Sequence, residues 1–223
     1  MKRLPGHRYV LFALLALCGL GVDLASKSVV FTDLGYPAGS VAAVEPGAHE
    51  LFDRPDHLPP ASDGQTPPYL DGWVTFRLYT SFNRGALWGI GQGQTWLFAA
   101  LSVVALVGIP YFLFVRGAAQ SRWLTVSLGF IMAGTLGNLY DRLGLHGLTD
   151  SEGETIHAVR DFLLFTFGGW SWPVFNFADM FLVTGAGMLF VQSFRTEPKR
   201  EPDAADQTRS EPSTRSATTT TRR

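Results

Sequence analysis

Two short blocks in the second half of the chain set a carboxylate against apolar neighbours. Asp161 stands in Val159-Arg160-Asp161-Phe162, ahead of the run Phe162-Leu163-Leu164-Phe165-Thr166-Phe167, and Asp179 closes Phe175-Asn176-Phe177-Ala178-Asp179. Two carboxylates brought together in such surroundings do not both ionise easily. Desolvation and the neighbour's charge raise the pKa of one, so the pair can share a proton. One member can then polarise a water while the other protonates a departing amine, which is peptide hydrolysis with neither metal nor serine.

Other polar groups gather near them. Asp23 and Lys27 are one helical turn apart and share a face, so they can pair; that pairing also lets a helix end keep two charges cheaply. Phe82-Asn83-Arg84-Gly85-Ala86-Leu87-Trp88-Gly89 offers an amide that can hold an extended peptide by donor and acceptor together, although turn chemistry explains the block equally well. Gly134-Thr135-Leu136-Gly137-Asn138-Leu139-Tyr140-Asp141-Arg142 puts Asn138, Asp141 and Arg142 within about one helical turn, where Asp141 and Arg142 could form a local ion pair. Spacing alone does not choose between Asp141 and Asp161 as a reacting group.

The remaining catalytic options are thin. The five His residues show no HExxH spacing, GxSxG is absent, and Ser26-Lys27 lacks the spacing of a Ser/Lys dyad. The single cysteine excludes a disulfide framework and a multi-cysteine metal site. Cys18, deep in an apolar segment, reads as a small core residue. A net charge of -1 leaves no basic surface for nucleic acid.

The elements that must position these groups are apolar helices. Of 223 residues, 46% are hydrophobic and only 17% charged, and the charges are clustered. Four segments, about 8–31, 94–115, 123–140 and 173–194, are long enough to span a bilayer, and Pro173 suits the first turn of the last one. The start of the first could be a cleaved signal, but Leu17 stands before Cys18 where lipoprotein cleavage needs a small residue. Lys2, Arg3 and Arg8, then Arg116 and Arg122, then seven basic residues from Arg195 onward fall on one side of a four-span chain. By the positive-inside rule both termini are cytoplasmic. Facing outward are an irregular Pro/Gly-rich insert at 33–71, a region of strand periodicity at 72–84, and a second loop at 141–171. Residues 1–195 thus read as one domain, and 196–223 as a disordered cytoplasmic tail. The expected fold is a mainly α membrane protein with four transmembrane helices and a small extracytoplasmic β-containing region.

Taken in order, Asp23-Leu24-Ala25-Ser26-Lys27, Asn83-Arg84-Gly85-Ala86-Leu87-Trp88-Gly89, Gly137-Asn138-Leu139-Tyr140-Asp141-Arg142, Val159-Arg160-Asp161-Phe162 and Phe175-Asn176-Phe177-Ala178-Asp179 resemble the lipoprotein signal peptidases (signal peptidase II). These are aspartyl proteases of the bacterial inner membrane. The resemblance implies removal of the signal peptide from diacylglyceryl-modified prolipoproteins, just before the lipidated cysteine. It assigns Asp161 and Asp179 as the catalytic pair, choosing Asp161 over Asp141. Asn83, Gly85, Asn138, Arg142 and Asn176 become groups that hold substrate or organise the pair, with Asp23, Lys27, Asp141 and Ala178 in support. It implies no cofactor, no nucleic acid and no obligate protein partner beyond substrate and membrane lipid, and an active site near the extracytoplasmic face. Two departures stand out. Residues 144–156 and the 33–71 insert are longer than usual, and Arg160 stands where an apolar residue is common, where it could depress the pKa of Asp161.

Two other classes are weighed against this. A proton-coupled carrier would use intramembrane carboxylates, but here the acids lie near one face only. A noncatalytic scaffold would bind lipidated signal peptides without yielding product.

Overall fold

The computed structural model describes residues 4–35, 40–42, 66–85, 93–150 and 152–194. The expected tail lies outside these residues, as does most of the 33–71 insert. In chain order the elements are α1 (His7–Leu34), β1 (Ser40–Ala42), β2 (Val74–Asn83), α2 (Thr95–Pro110), α3 (Arg122–Arg142), β3 (Leu148–Asp150), β4 (Val159–Phe167), β5 (Trp170–Ser171) and α4 (Phe177–Ser193).

The helices begin and end where local chemistry dictates. α1 stops at Gly35, whose φ of 80° no β-carbon would favour. Pro110 cannot close an interior helical bond, and α2 passes into one π-helical turn, Tyr111–Val115, closed by the Arg116 N–H on the Tyr111 carbonyl. Ser121 then caps α3, its hydroxyl accepting from the Leu124 N–H.

α1 and the continuous run Thr95–Val115 are long and apolar enough to cross a bilayer. Their outward faces carry Val10, Leu14, Leu17, Leu101, Val104 and Val107, all exposed, a disposition suited to lipid contact. Cys18 is exposed on the same outer surface, so it is not the core residue expected of it. The inward faces meet through small residues. A β-carbon on Gly19 would strike Ala133, one on Gly134 the Ala178 carbonyl, and one on Gly185 the Ser127 carbonyl. α3 therefore lies close against both α1 and α4.

β4 is the middle strand of a sheet ordered β2-β4-β5, and β1 pairs with β3 in a second, smaller sheet. β2 was expected from its alternation. β3, β4 and β5 fall in what reads as a loop at 141–171, because β4 is a continuous apolar run without the period of a half-buried strand. A bulge in β2 between Leu78 and Ser81 resets the register so that Ser81 opposes Asp161 and Asn83 opposes Val159. Phe162 and Leu163 pack on Val30, Phe31 and Leu34 at the end of α1, fixing the sheet over the helices.

Candidate active site

The fourth helix starts later than its sequence suggests. Pro173 lies ahead of the helix, Phe175 bridges to Leu163 of β4, and Asn176 is the N-cap. The cause is a stronger signal three residues on. The Asn176 side chain accepts from the Asp179 N–H (3.0 Å), and the Asp179 carboxylate accepts from the Asn176 N–H (3.3 Å), a reciprocal capping box. The box folds the Asp179 carboxylate back to the mouth of the helix, toward β4.

Three side-chain amides, Asn83, Asn138 and Asn176, hold the two carboxylates there, and each amide's orientation is dictated by its other partner. Asn83 accepts from the Gly85 N–H (2.9 Å), so its Nδ2 must face Asp161 and donates to Oδ2 (3.0 Å). Asn138 Oδ1 accepts from Lys27 Nζ and from Asn176 Nδ2, both at 3.2 Å, which turns its own Nδ2 onto Asp179 Oδ1 (2.8 Å). Asn176, its oxygen committed to the cap, donates to Asp161 Oδ1 (2.6 Å). Asn176 thus touches both carboxylates and links β4 to α4.

The two acids differ in surroundings. Asp161 is 2% exposed, and its pKa is raised well above the ordinary carboxylate value, chiefly by desolvation and then by the charge of Asp179. Asp179 is half-exposed at the wall of two cavities.

Arg160 does not act on Asp161 as its sequence position suggests. Neighbouring side chains on a strand point to opposite faces, and the Arg160 guanidinium pairs with Asp141 Oδ1 through Nε (3.1 Å) and Nη2 (2.9 Å). Asp141 therefore pairs across the fold, with Arg160 and with Lys27 Nζ (3.1 Å), where a local pair with Arg142 was one expectation. Lys27 also meets Asp23 Oδ2 (2.7 Å), as the one-turn spacing predicts. Asp23, Lys27, Asp141 and Arg160 form a buried quartet with no net charge. Asp23 Oδ1 accepts from the Ala178 N–H (2.8 Å), tying the first helix to the last. The Ala178 methyl packs where a β-carbon on Gly137 would intrude.

Arg142, freed from Asp141, donates to the Gly85 carbonyl (3.3 Å) and lies over the Phe98 ring at 5.3 Å. Among the described residues its Nε is buried without a partner, and the residue lines a 310 Å³ cavity with Phe98, Ser102, Thr135, Asn138 and Asp179. All eleven residues singled out in the sequence are therefore linked in one network by hydrogen bonds, ion pairs or packing. Phe98, Trp172 and Phe175 border the site and were not singled out. Each sits in an apolar run, and only its position next to a motif could have marked it.

The apolar helices, the small sheet and the polar cluster at the helix ends together define a membrane-protein architecture that known enzymes share. Two solved bacterial membrane enzymes have the same fold, with TM-scores of 0.58 and 0.57 at 20% and 21% identity, covering 91% and 88% of this chain and 99% of each of theirs. Residues 15–195 match the sequence model of signal peptidase (SPase) II, and the chain belongs to that family. The lipoprotein signal peptidase of Rhodopirellula baltica is 39% identical over 191 residues, covering 85% of this chain and 74% of that protein. That of Bacillus subtilis is 31% identical over 138 residues, covering 62% of this chain and 80% of its own.

Proposed function

We propose that this chain removes the signal peptide from diacylglyceryl-modified bacterial prolipoproteins, cutting just before the lipidated cysteine, with Asp161 and Asp179 as the reacting pair. The observation that carries the assignment is the contrast between the two acids. Asp161 is buried, held by two amides and raised in pKa, whereas Asp179 faces the cavities.

Asp161 holds the shared proton and Asp179 is the base. Asp179 takes a proton from water as its oxygen attacks the scissile carbonyl carbon, and Asp161 delivers its proton to the carbonyl oxygen. Asp179 then gives its proton to the amide nitrogen as the C–N bond breaks, and Asp161 recovers one from the collapsing diol. The products are the signal peptide's carboxyl group and the free amine of the lipidated cysteine. Asn83, Asn138 and Asn176 keep both carboxylates in place throughout, and Arg142 Nε is a donor for a substrate carbonyl. Asp141 stays within the ion quartet.

Four membrane spans, α1, α2 with its π turn, α3 and α4, complete the reading. Residues 1–195 form the peptidase domain in the inner membrane, both termini cytoplasmic and the acids near the outer face. The lengths of the first two support it, as does the distribution of basic residues.

The test uses purified protein in detergent with a diacylglyceryl-modified prolipoprotein, read as a gel shift. Wild type should cleave, and Asp161→Asn and Asp179→Asn should not, although folded by circular dichroism. Turnover by both variants would overturn the pair. Binding without cleavage by all three would favour the noncatalytic scaffold.

A further inference from the structure

Asp179 borders two cavities of contrasting chemistry, and no other residue is common to both. On one side lies the 310 Å³ cavity between α2, α3 and α4, with Ser102, Thr135, Asn138 and the unpartnered Arg142 Nε. On the other lies a 370 Å³ groove lined by Trp172, Phe175, Met180, Val183 and Thr184. Apart from Asp179 itself, no side chain lining this groove among the described residues carries a charge. Met180, Val183 and Thr184 recur at helical spacing on one face of α4, and Met180 and Val183 are exposed on the outside of the bundle. Trp172 and Phe175 also line a 360 Å³ hollow with Phe165 and Phe167 on β4, so the groove runs on over the sheet as one aromatic trough.

We propose that this trough receives an acyl chain of the substrate's diacylglyceryl group, while the cavity with Arg142 takes the peptide main chain. The inference rests on the function proposed above. The covalent structure of the substrate demands such a division. Only the backbone nitrogen, Cα and Cβ separate the scissile carbonyl carbon from the sulfur that bears the lipid, so the lipid must leave the site beside the carboxylates. Only a groove that itself borders Asp179 can accept it. Seating hydrocarbon on the other side would strip water from Arg142, Asn138, Ser102 and Thr135 without replacing their hydrogen bonds. The trough makes no such demand, and its outward opening along α4 lets the chain enter sideways from lipid. Rings and a Met side chain grip by close packing, the form of attraction that remains when both alternatives are apolar.

The experiment compares kcat/KM for one prolipoprotein carrying either dipalmitoyl or dioctanoyl glyceryl, in the same detergent. Val183→Trp and Thr184→Phe fill the trough from an exposed face of α4, so neither disturbs the core. Leu101, exposed at the rim of the opposite cavity, fills it when changed to Trp, and Leu101→Trp is the comparison. The trough variants should lose about tenfold or more with the dipalmitoyl substrate and far less with the dioctanoyl one, whereas Leu101→Trp should slow both alike. An equal loss on both substrates from the trough variants, or no loss at all, would overturn the assignment. So would a chain-length effect from Leu101→Trp alone. If wild type cleaves neither substrate although folded, the peptidase reading itself fails, and this one with it.

Discussion

Lys27→Met isolates what the buried quartet contributes. Lys27 is fully buried, with Nζ 2.7 Å from Asp23, 3.1 Å from Asp141 and 3.2 Å from the Asn138 oxygen. Methionine keeps the length and removes the charge. Asp141 loses little, since Arg160 still supplies its backbone N–H and two guanidinium contacts. Asp23 is left with the Ala178 N–H alone. Breaking a buried pair from one side costs about 3–5 kcal/mol, and nearly all of it falls on Asp23. At about 2–4 °C per kcal/mol for a chain of this size, the melting temperature in detergent should fall by about 6–20 °C. Lys27→Met/Asp23→Asn removes both charges and keeps an acceptor for Ala178, so at least half the loss should return. Cleavage should stay down by about tenfold even then, because the Asn138 oxygen has lost a donor that orients its amide toward Asp179. A single variant melting within about 2 °C of wild type, or a double variant no more stable than the single, would refute the reasoning.

Two further outcomes are expected. The pKa of Asp161 is raised in the folded state, so the native protein holds this proton more tightly than the unfolded chain. Its contribution to stability is complete below the ordinary carboxylate value and is lost as pH rises toward the elevated one, by about 1.4 kcal/mol per pH unit within that window. Asp161→Asn removes this slope. The melting temperature of the variant relative to wild type should therefore climb from pH 4 upward, and parallel pH profiles would contradict the raised pKa. Gly137→Ala should cost about 1–3 kcal/mol, because the new methyl meets Asp23 and Ala178, whereas Gly21→Ala, with nothing near it, should be neutral or slightly stabilising; equal melting temperatures for the two would show that α3 has room to part from α1 and α4.

What the sequence makes legible is what a single turn or strand period encodes. Asp23 with Lys27 and the alternation of β2 both declare themselves within a few residues. What it hides depends on register and on contacts between distant segments. Arg160 reads as the neighbour of Asp161 until the pleat of β4 sends it to Asp141. Asn83 reaches Asp161 only because a bulge resets β2. Pro173 reads as a helix start by the rule for proline, although the capping box three residues on, an equally local signal, is what sets the start. The contrast between the two acids is equally hidden, since it follows from Asp161 being buried on β4 and Asp179 standing at a cavity wall.

The bond from Asp23 to the Ala178 N–H joins residues 155 positions apart. It carries a consequence for the order of events in synthesis. A chain emerging from the ribosome has α1, α2 and α3 in hand well before α4, and until α4 docks Asn138 has no Asp179 to hold and Asp161 lacks the Asn176 amide. The proposed proteolytic pair is therefore absent from every form in which α4 is missing or not yet docked. An enzyme built this way stays chemically silent until its last helix is seated.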